Sequence, residues 1–163
     1  MSPSHQKGEK MAQIIPQETI EQKIFLIRNL KVMISSHLVL LYGVNTSALI
    51  QAIRRNIERF PEDFMFALTR EEILNLSQIV ISSKLKHAPN VYAFTEQGIA
   101  MLSSVLHSKR AIKINIAIVR AFVKLRQILS THKELAHKLV ELEHRIENTT
   151  KQLRGYLKLS DNL

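Results

Sequence analysis

The chain has no cysteine and no tryptophan, only four glycines and four prolines in 163 residues, and 6% aromatic side chains. Without cysteine there is no disulfide, no thiol nucleophile and no zinc–thiolate centre. With so few aromatics, most at core-like positions, a platform that stacks unpaired bases on Tyr or Phe is disfavoured. The scattered glycines form no phosphate-cradling loop. No apolar run approaches the roughly 20 residues of a membrane span. The longest candidates, such as Leu38 to Val44, are short, and the stretch after Ala111 is cut by Lys113, Arg120 and Lys124. The opening MSPSHQKGEK lacks the apolar core of a signal peptide, so a cytoplasmic protein without a membrane partner is expected.

Catalytic machinery is also scarce. The seven histidines are dispersed, with no His/Glu spacing suited to a metal. Glu62-Asp63 sits beside Pro61 in a turn-like stretch, Glu71-Glu72 is explained by helix capping, and Ser82-Ser83 has no adjacent base. We therefore expect a non-enzymatic protein with no catalytic residues, no metal and no cofactor.

Positive charge is what the sequence has in quantity. Lys and Arg number 23 against 14 Asp and Glu, a net charge of +9 and a pI near 10.0. Residues 28–130 hold 14 basic and 6 acidic side chains, net +8. The flanks are nearly balanced: 3 against 3 in residues 1–27 and 6 against 5 in residues 131–163. A basic field concentrated on one block favours a polyanionic partner, nucleic acid first.

Periodicity and turn chemistry predict an α+β domain followed by a long helix. Residues 1–20, with Pro3, Gly8 and Pro16 among polar residues, read as a flexible arm. The segment from Ile24 to Met33 predicts two short strands with Asn29 at their turn. Ser35 or Ser36 is expected to cap a short helix that Gly43 ends, and Asn45 or Thr46 to cap a second helix reaching about Phe60, before Pro61. Leu49, Ala52, Ile53, Ile57 and Phe60 would form its buried face. Ser47, Gln51, Arg54, Arg55, Glu58 and Arg59 lie on the other side, where Ile50 fits poorly. Residues 64–68 read as a strand, and Thr69 to Glu72 as a capping box opening a helix to about Leu76. QIVIS (78–82) reads as a strand, Ser83 to His87 as a basic loop, and VYAFT (91–95) as a strand whose Thr95 caps a further helix; strand, basic loop, strand is the pattern of a wing. From Ser108 a helix begins that is apolar nearly all round and expected to be central and buried.

The last segment changes period. Leu139, Ile146 and Leu153 at a, with Leu135 and Leu142 at d, form a heptad seam, and Lys138 at g faces Glu143 at the following e in a parallel dimer. The alternative is a helix folded back on its own domain. We divide the chain into the arm (1–20), the domain (21–130) and a coiled-coil dimerisation helix (131–163).

The segment Ser36 to Phe60 has the pattern of a helix-turn-helix, whose second helix enters the major groove of DNA. Gln51, Arg54, Arg55 and Asn56 become candidates for base or adjacent contacts, because Arg pairs bidentately with guanine and Gln or Asn with adenine. Thr46 and Ser47, at the helix start, are candidates for a phosphate. Arg59, Lys84, Lys86, His87, Lys109 and Arg110 are candidate phosphate contacts. The plainer alternatives are a solvated charged face on an ordinary helix pair and a solvated loop at 83–87.

The segments IRNLKVM, LVLLYGV, RRNIERFPEDFMFALT, VYAFTEQGIAMLSSVL and SKRAIKINIAIVRAFVKLR together resemble the phage antirepressor-type N-terminal domain related to KilA-N, the ORF-six N-terminal domain family, over about residues 24–129. The resemblance implies a small α+β DNA-binding domain, often followed by a coiled coil. Its signature covers Arg55-Asn56 and Glu58-Arg59-Phe60-Pro61; it implies structural roles for Ile57, Phe60, Pro61 and Phe64, with Glu58 and Asp63 holding the helix end and turn. The expectation is a phage-type transcriptional regulator or antirepressor that binds double-stranded DNA as a homodimer. The alternative partner is a repressor protein captured by the coiled coil.

Overall fold

The computed structural model describes residues 17–80 and 83–161, without the side chains of residues 83 and 84. It divides into two compact units, 1–123 and 124–163. The expected arm lies outside the described residues up to 16. Its last positions instead join a short helix, α1 (Gln17–Glu21), whose Ile20 is fully buried.

Unit 1 is built on a four-stranded antiparallel sheet, β1 (Phe25–Ile27), β2 (Leu30–Ile34), β3 (Met65–Ala67) and β4 (Tyr92–Phe94), in the order β1-β2-β4-β3. Arg28 and Asn29 join β1 to β2, both in the left-handed region (φ 53° and 63°), as a two-residue hairpin turn requires. β4 is paired on both sides, with Phe94 opposite Met33 and Met65, and Ala93 opposite Ile34 and Phe66.

The period-two alternation of these strands sends neighbouring side chains into two separate cores. Met33 and Phe94 face one core, with Leu38, Leu49, Ile99 and Ile118. Val32, Ile34, Phe66 and Ala93 face the other, with Ile73, Leu76, Leu85 and Val91. The first core is covered by α2 (Ser35–Tyr42), α3 (Thr46–Arg55), α6 (Glu96–Val105) and the start of α7 (Lys109–Asp161). The second is covered by α4 (Arg70–Ile79) and α5 (Ser83–His87).

Of the run at 78–82 expected as a strand, Gln78 and Ile79 end α4, Val80 is its C-cap, and 81–82 lie outside the described residues. The Thr69–Glu72 capping box is fully formed, and Ile73 and Leu76 bury the helix it starts, so tertiary packing carries α4 past Leu76. The basic stretch after it is helix α5 and not a hairpin tip. Leu85 is the reason: it is only 4% exposed in the second core, where a wing would leave it in solvent.

The helix after Ser108 is not buried all round. Ala111, Ile114, Asn115, Ile118, Ala121 and Phe122 form one buried stripe, whereas Ile112 and Ile116 are 51% and 48% exposed. Among the described residues, unit 1 buries a single face of this helix and leaves the apolar side chains opposite it about half exposed. In unit 2 the helix continues to Asp161 with Leu135, Leu139, Leu142, Ile146 and Leu153 all exposed. No single helix among the described residues is long and apolar enough to cross a membrane.

Candidate nucleic-acid interface

Helices α2 and α3 meet at an angle of 105°, across the three-residue turn Gly43-Val44-Asn45. That angle and turn length are those of a helix-turn-helix. Gly43 adopts φ 69°, and the N–H groups of Gly43 and Val44 donate to the carbonyls of Leu40 and Val39. These bonds satisfy the last carbonyls of α2, the usual role of a left-handed glycine past a helix end. Arg110 closes the turn from outside: its Nε donates to the Leu41 carbonyl (3.1 Å), and its guanidinium lies against Gly43. Asn45 then caps α3, its Oδ1 accepting from the Ala48 N–H (2.7 Å) and the Ser47 hydroxyl (2.8 Å).

Neither expected serine caps α2. The N-cap is Ile34, in extended backbone, with no side-chain cap bond. Ser35 is buried in the first turn, and its hydroxyl accepts the Tyr92 N–H at 3.0 Å, tying α2 to β4. Helix α3 ends at Arg55, with a 3-10 turn at Ile57–Arg59 before Pro61. The break leaves Ile57 54% exposed, so it is not part of the buried face that uninterrupted periodicity predicts.

The exposed surface of α3 carries two lines at helical spacing. Ser47, Gln51 and Arg55 lie at i, i+4 and i+8, all exposed. Thr46, Ile50 and Arg54 form the adjacent line and border a cavity between α3 and α2. The misfit Ile50 is thereby explained: it lines that cavity. Other expected contacts have local partners. Asn56 is the C-cap of α3, its Nδ2 donating to the Ala52 carbonyl at 2.9 Å. Arg59 donates from Nη1 to the Ser104 hydroxyl at 3.1 Å. Lys84 falls in α5 with its side chain outside the description, Lys86 and His87 are exposed on the same helix, and Lys109 is exposed at the start of α7.

A family model for the ORF6N domain matches residues 22–105, more than half of the chain. The chain belongs to the ORF6N domain family. The match runs from just before β1 to the end of α6, so it contains the whole sheet and the α2–α3 pair but not α7. Membership suggests a phage-type regulatory or DNA-binding role. No curated protein and no solved structure matches the chain.

Within the ORF6N domain, three residues that sequence reasoning did not single out hold the scaffold or the cavity. Arg70 donates to the carbonyls of Ala88 (3.1 Å) and Lys86 (2.7 Å), fastening α5 to the start of α4. Arg28 makes a bidentate pair with Glu72 (2.8 and 3.0 Å) while its guanidinium lies 4.3 Å from the Phe66 ring centre. Hydrogen bonding from Arg28, with help from Thr69, holds the Glu72 carboxyl down at about 2. Lys23 lines the cavity beside His37, whose pKa is lowered to about 4, first by burial and then by the Lys23 charge. All of these link residues distant in sequence; the misplaced Ile50 was the one local signal. On the first core's side, Tyr42 donates to Asn115 Oδ1, and burial pushes its hydroxyl well above the ordinary range.

Proposed function

We propose that the chain is a non-enzymatic, sequence-selective binder of duplex DNA, a phage-type transcriptional regulator or antirepressor that acts as a homodimer. The observation that carries this is the α2–α3 pair, crossed at 105° and presenting the exposed line Ser47, Gln51 and Arg55 from the basic part of the chain. A helix of this width fits the major groove, where Arg55 and Gln51 have the donor geometry for guanine and adenine. Arg54 and Thr46 lie one line away, suited to the flanking phosphates. Lys86 and Lys109 add positive charge, His87 beside them can donate a hydrogen bond to a phosphate, and Asn56, Arg59 and Arg110 hold the reading helix in place. The seam Leu135, Leu139, Leu142, Ile146 and Leu153 would pair two copies and impose a two-fold spacing on the operator.

The test is selection of bound duplexes from a random library, followed by salt titration of the selected site. The observed affinity should fall steeply with salt, since each neutralised phosphate releases counterions. Arg55→Ala should cost about 1–3 kcal/mol and relax selectivity at one position, while Arg54→Ala should weaken all sequences alike and lower the salt slope by about 1. Absence of any salt-sensitive complex at micromolar protein defeats the proposal.

The exposed apolar seam also favours a second reading, capture of a repressor protein by the long helix. Truncation after Ser130 separates the two. Lost DNA affinity restored by an unrelated dimerising helix supports DNA binding; lost repressor capture with DNA binding intact supports the second reading.

A further inference from the structure

The cavity beside α3 has a volume of about 580 Å³, within the range of small-molecule sites. One wall is apolar: Leu40 from α2, Ile50 from α3, and Val80, Leu85, Ala88 and Pro89 from the α4–β4 segment. Among the described residues that line it, the charged ones are Lys23 and Arg54 and none is acidic. Ser36, Thr46 and Asn90 add polar groups, and the neighbouring His37 has a buried Nδ1 with no hydrogen-bond partner. A largely apolar lining with two cations and, among the described residues, no carboxylate is complementary to an anion with an apolar body. A bare phosphate would leave the Leu40, Ile50 and Leu85 wall unused.

We propose that this cavity binds a small amphipathic carboxylate, with its headgroup at Arg54 and Lys23 and its apolar body between α2 and α5. The site carries a consequence for the DNA reading and, to that extent, rests on it. Arg54 belongs both to the cavity and to the helix that we assign to DNA, and a bound carboxylate neutralises it. Occupancy therefore removes one phosphate contact and weakens duplex binding. The ligand acts as an effector without any rearrangement of the fold.

The probes are octanoate and its neutral isostere octanamide, titrated into the full chain by calorimetry and by amide chemical-shift mapping. Octanoate should bind about tenfold more tightly than octanamide, the worth of one charge-assisted contact. Arg54→Gln and Lys23→Gln should each weaken octanoate about fivefold, allowing for solvent screening, while Arg55→Gln on the adjacent line leaves it unchanged. The shifts should centre on Leu40, Ile50 and Leu85. Equal binding of both probes, shifts confined to the exposed seam of unit 2, or no octanoate binding at millimolar concentration overturns the site. In a separate arm, saturating octanoate should weaken duplex binding by the wild type and leave Arg54→Gln unaffected. Octanoate binding without any duplex binding would sink the proposed function and keep the site; duplex binding intact with no octanoate binding would do the reverse.

Discussion

The backbone of Phe64 lies where a side chain on Gly98 would have to go. A β-carbon at Gly98 would sit 2.9 Å from the Phe64 carbonyl carbon and nearer still to its oxygen. The same oxygen accepts the Thr95 N–H at 3.0 Å, and the Thr95 hydroxyl donates to the Asp63 carbonyl at 2.8 Å. The RRNIERFPEDFMF and YAFTEQGIAML segments are thus bonded to each other, and the start of α6 is seated on the strand entry at Phe64. Phe60 and Phe94 complete the junction, edge to face at 6.4 Å.

Gly98→Ala should therefore be strongly destabilising. The obstacle is backbone, which cannot swing aside as a side-chain tip can, so the cost should be about 3 kcal/mol or more. Urea unfolding measures it; a loss under about 1 kcal/mol would show that α6 can shift without consequence.

The Arg28–Glu72 pair and the Thr69 cap can be separated experimentally. Glu72→Gln keeps an acceptor for the Thr69 N–H, now at 2.9 Å, but removes the charge that meets Arg28. Glu72→Ala removes both and should be less stable than Glu72→Gln by about 1 kcal/mol, the worth of a cap. The depressed carboxyl also gives a pH signature. Its contribution is present above the ordinary value of 4.5 and fades as pH falls toward about 2. Either substitution should flatten thermal stability across that window; an unchanged acid limb contradicts the assignment.

His37 acts in a higher pH window. It stays neutral in the fold down to about 4, whereas the unfolded chain takes up the proton near 6.5. Unfolding then binds more protons below 6.5, so stability should decline as pH falls from 6.5 toward 4. After discounting for its partial exposure, the loss should be roughly 1 kcal/mol. His37→Phe, which keeps a ring against Phe25 at a present centroid distance of 5.8 Å, should abolish the decline. A melting curve equally pH-sensitive in that variant would point to another group.

Leu139 and Ile146 are 60% and 64% exposed in the single chain. If they form a seam between copies, Leu139→Asp with Ile146→Asp should raise the dimer dissociation constant by at least about a hundredfold, from the burial of two large aliphatic side chains. Sedimentation equilibrium reads this directly. A wild-type monomer at high micromolar concentration would dispose of the homodimer.

The sequence is legible where a local rule and the tertiary structure agree. Asn29 in the hairpin turn, Gly43 past the end of α2, Asn45 at the start of α3 and the Thr69–Glu72 box are short-range hydrogen-bonding devices. Each was readable from one stretch of chain. It misleads where a distant partner decides. Ser35 looks like a cap, yet its hydroxyl is occupied by the Tyr92 N–H from across the sheet. The run at 78–82 has strand composition, but Leu85 draws the following segment into the second core as a helix. For the candidate site, the amphipathic reading of α3 placed Ser47, Gln51 and Arg55 on its exposed side. It could not show that Asn56 and Arg59 have bonds to Ala52 and Ser104, because those depend on the helix ending at Arg55.

The guanidinium of Arg110 against Gly43 bears on how portable the α2–α3 pair is. The turn between the two helices is closed by a residue 69 positions beyond the carbonyl it binds, outside the span that the ORF6N model matches. An α2–α3 peptide grafted onto another scaffold would leave that clasp behind, and its crossing angle with it. The smallest transplantable module therefore extends into the first turn of α7.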